Sequence, residues 1–231
     1  MKENNKNFKL TEIGMIPKDW EIVRLEDACR EITDGSHYSP KEDRNGEYKI
    51  ATVANMSMDK IDVTSCKRIS REDYLFLVKN ACKPEKGDIL FSKDGTVGIS
   101  FAYNQDEDIV LLSSIAILKP ETKLDSDYCA YVLNFPPVFK QILSRKRGTG
   151  LRRIILKDLK NIKLPLPPLP EQQKIAEILS TVDKAIEKVD EAIKKTQRLK
   201  KGLMHELLTK GIGHKEFKDT EIGRIPKEWG V

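Results

Sequence analysis

The chain has 231 residues, 39% hydrophobic and 33% charged, with a formal net charge of +5 and a pI near 8.8. That is apolar material enough for one core of ordinary size plus an appended element, which excludes disorder throughout. The small basic excess suits a nucleic-acid partner without demanding one, and no run approaches the roughly 18 apolar residues of a membrane span.

Residues 1–9 are polar and lysine-rich, with no apolar signal region. The cysteines, Cys29, Cys66, Cys82 and Cys129, form no Cys-x-x-Cys pair, and His37, His205 and His214 share no ligand spacing with them. The expectation is a cytoplasmic protein with reduced thiols, no metal site and no membrane partner.

In chain order, the pattern predicts a strand over Trp20–Val23, a short helix over Leu25–Glu31, a strand over Tyr48–Val53 and a helix after Ser70. Strands follow at Ile89–Ser92, Val97–Tyr103 and Ile109–Leu118, then helices over Ser126–Leu133 and Val138–Ser144. This mixture predicts an α+β (mixed α/β) globular domain spanning 1–169.

Three loops of that domain carry candidate binding chemistry. The first, Thr33 to Pro40, brings together Ser36, His37 and Tyr38, whose side chains can hydrogen-bond base edges or phosphates; as structure alone it is a polar turn. The second, Gly87 to Gly98, reads either as a plain hairpin or as a binding loop whose glycines admit a ligand, with Lys93 and Thr96 as candidates. It lacks the Gly-x-x-x-x-Gly-Lys-Ser/Thr order of a phosphate-binding loop. The third holds Arg145, Lys146, Arg147, Thr149, Arg152 and Arg153; from Gln141 to Lys163 there are eight bases and one acid. Such a cluster gives sequence-independent, salt-sensitive affinity for phosphates, although many charge runs are only solvated.

The stretch after Leu164-Pro165-Leu166-Pro167-Pro168-Leu169-Pro170 predicts one long helix, 170–211, beginning after Pro170. Ile175, Leu179, Val182, Ile186, Val189 and Ile193 fall in steps of four and three, a coiled-coil seam that continues with a drifting register through Leu199, Leu203 and Leu207. Forty helical residues span roughly 60 Å at 1.5 Å each. Glu171–Glu191 holds six acids and three bases, whereas Ala192–Lys210 holds one acid and six bases. This division either complements the helix dipole or favours an antiparallel copy, each acidic half lying beside a basic half.

A repeat is the other strong signal. Residues 8–20, FKLTEIGMIPKDW, return at 217–229 as FKDTEIGRIPKEW, identical at ten of thirteen positions. The segment 212–231, repeating 8–22, therefore reads as the start of a second unit, and the chain as half of a tandem protein.

No nucleophile elbow, zinc-protease motif or nuclease carboxylate cluster is present. Asn134-Phe135-Pro136-Pro137 is similar to the Asn-Pro-Pro-aromatic motif of amino-methyltransferases, but Phe135 separates Asn134 from the prolines and no cofactor glycine motif precedes it, so it reads as a helix break. The chain is expected to be non-catalytic and to bind no cofactor itself.

The segments Ile13-Gly14-Met15-Ile16-Pro17-Lys18-Asp19-Trp20, Asp34-Gly35-Ser36-His37 and Gly87–Ser92, and above all the proline run followed by Glu171-Gln172-Gln173-Lys174-Ile175, resemble the DNA-specificity subunit of Type I restriction-modification systems. The resemblance implies a target recognition domain that reads half of a split site in double-stranded DNA, followed by a spacer helix that pairs antiparallel. It also implies partners: a methyltransferase subunit using S-adenosylmethionine and a restriction subunit using ATP and Mg. The sequence departs from that family in having one recognition domain and one helix, and the residues leave open whether it is a natural half-subunit or a truncated form. The expectation is a homodimer through the seam residues from Ile175 to Leu207, reading a split palindrome. The alternative is a coiled-coil interaction adaptor, or a remnant without DNA specificity.

Overall fold

A computed structural model describes residues 7–145 and 153–230. The chain divides between Ala176 and Glu177 into two units. The first opens with a hairpin, β1 (Phe8–Thr11) and β2 (Gly14–Pro17), followed by β3 (Glu21–Arg24), α1 (Leu25–Ala28), β4 (Cys29–Asp34), β5 (Tyr48–Ala51), β6 (Lys67–Ile69) and α2 (Arg71–Lys79). Then come β7 (Ile89–Ser92), β8 (Ser100–Ala102), β9 (Ile109–Leu111), β10 (Ile115–Pro120), α3 (Ser126–Asn134), α4 (Pro136–Ser144), α5 (Leu156–Lys160) and β11 (Lys163–Leu166). A long helix, α6 (Leu169–Lys210), is followed in the second unit by a second hairpin, β12 (Phe217–Thr220) and β13 (Gly223–Pro226). The architecture is α+β with a long helix, as the sequence predicts.

The centre of the first unit is an antiparallel sheet of order β4-β10-β7-β8. Side chains alternate across a strand, so Ile89, Phe91, Ala116 and Leu118 join one core with α3 and α4, while Leu90, Ile115 and Ile117 face a second core with Ile109 and Leu111 of β9. Burial on both faces explains why these strands read as unbroken apolar runs. A third cluster, Ile50, Ile69, Tyr74, Leu77 and Val110, packs α2 on a β6-β5-β9 sheet. Ser70 caps α2 by accepting the Asp73 amide (3.1 Å), and Asp125 caps α3 through the Tyr128 amide (2.8 Å).

Several expected boundaries move. The helix expected over Leu25–Glu31 stops at Ala28, because Cys29–Asp34 is recruited as a strand by β10, with Ala116 opposite Asp34 and Leu118 opposite Ile32. The single strand expected over Ile109–Leu118 is two, serving different sheets: β9 runs parallel to β5, and β10 antiparallel to β4 and β7. Val97–Tyr103 is a strand only over Ser100–Ala102, and β5 ends at Ala51, where Thr52 caps a short 3-10 turn. The proline run begins as β11, pairing Leu164 with Val23 and Pro165 with Ile22 in a two-stranded ladder where a missing amide is tolerated. Helix α6 starts at Leu169, one residue before Pro170, since the first turn needs no amide donor there. The break at Asn134-Phe135-Pro136-Pro137 falls between α3 and α4, and Asn134 Nδ2 donates to Ser100 Oγ (2.8 Å) and Ala130 O (3.0 Å).

The first turns of α6 are bolted into this unit. Gln172 is fully buried; its Oε1 accepts the Asp125 amide (2.9 Å), and its Nε2 donates to Lys123 O (2.9 Å) and Pro167 O (2.8 Å). Trp20 Nε1 donates to Glu171 Oε2 (3.1 Å), and the Tyr128 hydroxyl donates to Pro165 O (3.0 Å). Among the described residues, no helix is long and apolar enough to cross a membrane.

Candidate nucleic-acid interface

The first loop is held by backbone before any side chain acts. The Ser36 amide donates to Leu111 O (2.8 Å), and the Ser113 amide returns a bond to Ser36 O (2.9 Å). Gly35 sits so close to this crossing that a Cβ would lie 2.3 Å from Leu111 O, so only glycine fits. Ser36 Oγ accepts the Tyr38 amide (2.9 Å), which turns His37 and Tyr38 outward to solvent. Tyr38 then leans on α2: its hydroxyl donates to Asp73 Oδ1 (3.1 Å), which raises the phenol pKa, and its ring meets Phe76 edge-on at 5.9 Å.

The second loop is a hairpin between β7 and β8, with Ile89 opposite Ala102. Ser92 Oγ donates to Thr96 O (2.6 Å) and accepts the Gly98 and Ile99 amides, closing the turn from within. Gly95 (φ 64°) and Gly98 (φ 112°) take the left-handed region, and Thr96 stands exposed at the tip.

Lys93 joins the loops. Its ammonium donates to Asp34 at the end of β4, the two side chains being 8% and 16% exposed. His37 Nε2 also lies 3.6 Å from Asp34 Oδ2. The Lys93 amide donates to Ser114 O (2.8 Å), the Ile154 amide donates to Lys93 O (3.0 Å), and Asp94 pairs with Arg153 in an isolated antiparallel backbone bridge. Ser36, His37, Tyr38, Thr96 and Arg153 are thus carried by segments tied to one another through Lys93 and Asp34. Lys93, a candidate for base contact in the sequence, is instead buried as the pin between them. Removing one partner of such a pair leaves a charge uncompensated in a desolvated place, at a cost of several kcal/mol.

Arg145 ends α4, its guanidinium donating to Gln141 O (3.2 Å). Lys146, Arg147, Thr149 and Arg152 lie outside the described residues, and Arg153 is exposed. Three participants escaped sequence reasoning: Asp34 as the partner of Lys93, and Asp73 and Phe76 as the seat of Tyr38. Asp34 stood inside the quoted loop, but nothing in one dimension pairs it with a residue 59 positions away.

On α6 the stripe divides. Ile175 packs against the first core, whereas Leu179, Val182, Ile186, Val189, Ile193, Leu199, Leu203 and Leu207 are all exposed, Val189 by 58%. Burial raises every cysteine thiol, Cys29 to about 12 and Cys66 to about 11, so none has the thiolate character of a nucleophile.

A family model described as the Type I restriction modification DNA specificity domain matches residues 17–195. Two curated proteins of Methanocaldococcus jannaschii are similar over 97% of this chain. The putative type I restriction enzyme MjaX specificity subunit is 36% identical, with 54% of its length covered; the MjaVIII specificity subunit is 32% identical, with 50% covered. The fold is similar to a crystal structure of a Type-I restriction-modification S subunit from M. genitalium, with a TM-score of 0.57 at 18% identity, covering 89% of this chain and 47% of that one. The chain spans about half the length of the curated relatives it matches.

Proposed function

Because the chain belongs to the Type I restriction-modification DNA specificity family, we propose that it is a non-catalytic subunit that reads a half-site in double-stranded DNA and scaffolds a methyltransferase subunit and a restriction subunit. Residues 1–169 are the reader, 170–211 the spacer and 212–231 the opening of a repeat. The observation that carries this reading is the junction of loops at Lys93 and Asp34, which presents Ser36, His37, Tyr38 and Thr96 from rigid strand ends beside Arg153. Hydroxyls and an imidazole can read base edges, and Arg145, Lys146, Arg147, Arg152 and Arg153 supply phosphate contacts. The chain holds no cofactor; S-adenosylmethionine, ATP and Mg belong to the partner subunits.

The uncovered stripe supports an antiparallel homodimer. Apolar residues from Leu179 to Leu207 face water in the single chain, and the acidic and basic halves of α6 complement each other only when two copies run in opposite directions. A two-fold reader requires a two-fold target, hence a split palindrome. Helices near 60 Å limit the separation of half-sites to at most about 17 base pairs, shortened by overlap.

The test is selection from a random duplex pool by the purified chain, with and without its co-expressed methyltransferase partner. A symmetric split motif is expected. A single unsplit half-site would remove the dimer and keep the reader; no enrichment in either arm would leave an interaction adaptor or a remnant.

A further inference from the structure

The turn between β7 and β8 carries one side chain that its own architecture does not use. Ser92 Oγ holds the turn from within, and the Val97 amide donates to Gly95 O (2.9 Å). An aspartate entering a tight turn commonly accepts the amide two residues on. Among the described residues, the Asp94 carboxylate accepts no hydrogen bond and joins no ion pair. The turn is closed without it. Its neighbour Lys93 is turned inward to Asp34, whereas Asp94 is half-buried beside the exposed Gly95 and Thr96.

The backbone of Asp94 is nevertheless fixed. It pairs with Arg153 in an antiparallel bridge, and residues opposite each other in such a bridge set their side chains on one face, with Cβ atoms about 5 Å apart. An acid and a base so placed are within reach of an ion pair, yet none joins them. Arg153 is exposed, and the segment from Gln141 to Lys163 carries eight bases and one acid. A carboxylate at the edge of such a segment works against phosphate binding, because it repels the charge that the bases attract. Its chemistry suits a hydrogen-bond donor lying between the phosphates, inside a groove.

We infer, on the premise that this face reads DNA as proposed above, that Asp94 is a specificity-determining residue whose carboxylate accepts the N4 amine of a cytosine in the major groove, while Arg153 holds a phosphate alongside. An ionised carboxylate only accepts, so thymine O4 and guanine O6 and N7 are repelled. Adenine offers its N6 amine but sets the N7 acceptor beside it, against the second carboxylate oxygen. Cytosine presents the amine alone. The bridge to Arg153, and the bond from the Ile154 amide to Lys93 O (3.0 Å), hold the turn in place before DNA arrives, which lowers the ordering cost of the contact.

The test is selection from a random duplex pool by the full chain with its co-expressed methyltransferase partner, run for the unsubstituted protein, Asp94→Asn and Asp94→Ala. The unsubstituted protein is expected to demand cytosine at one position of the half-site. Asp94→Asn, whose carboxamide can pair with adenine N6 and N7, should shift that position alone to adenine, and Asp94→Ala should leave it without preference. On the selected half-site, replacing that cytosine by 2-pyrimidinone, which lacks the amine, should weaken the unsubstituted protein roughly tenfold and Asp94→Ala hardly at all. A motif unchanged in both variants overturns the assignment and leaves the half-site reading standing. So does tighter binding to every sequence with no change of motif, which would make the carboxylate only a repeller of phosphates. Loss of preference at every position also overturns it, making Asp94 a support of the turn. No enrichment by the unsubstituted protein removes the half-site reading, and the assignment with it.

Discussion

The first turns of α6 and the remainder of the same helix use one apolar stripe in opposite ways. Ile175 and Ala176 are spent on the first core, and Gln172 satisfies three backbone groups around it. From Leu179 onward the same spacing of apolar residues meets water. A helical period thus tells that a face exists but not whether the chain itself covers it. The packing that stabilises the first unit therefore ends before residue 177, and the uncovered stripe, the proposed seam, lies after it.

That separation can be broken most severely in the seam. Val182→Asp with Ile186→Asp should halve the mass measured by light scattering while leaving the thermal unfolding of the first unit unchanged; an unchanged mass would show that the seam is not the dimer contact. Within the first unit, Lys93→Met strands the Asp34 carboxylate and should cost about 3 kcal/mol in denaturant unfolding, the low end for a buried pair because Asp34 keeps some solvent. Gln172→Leu orphans the Asp125 amide and two carbonyls and should cost about 2 kcal/mol, with assembly retained at temperatures where the unit is folded.

Smaller effects probe the charged surface and the thiols. Arg145→Ala and Arg153→Ala should weaken all DNA sequences alike, each flattening the plot of log affinity against log salt by about 0.9 if it covers one phosphate. His37→Ala or Thr96→Ala should instead change preference at one base position, seen in the selected motif. The four buried cysteines should resist a thiol reagent at about pH 8 until the protein unfolds, since burial pushes Cys66 up to about 11 and Cys29 to about 12 and the protonated thiol is not the nucleophile. Rapid labelling of the folded chain would contradict the packing of the first unit.

The sequence by itself determined whatever is local or repeated. The period of α6, the cap at Ser70, the helix break at Pro136 and the ten shared residues of the hairpins are all written along one line, as was the class of side chain in each loop. Three-dimensional structure decided what depends on partners distant in the chain. Cys29–Asp34 became a strand because β10 offered unpaired backbone, overriding its helical neighbourhood. Lys93 became an internal pin because Asp34 was brought to it, and desolvation makes such a pair hold together. Ile175 is covered and Val189 is bare although they share one stripe of α6, because burial belongs to the surface a residue meets and not to the residue.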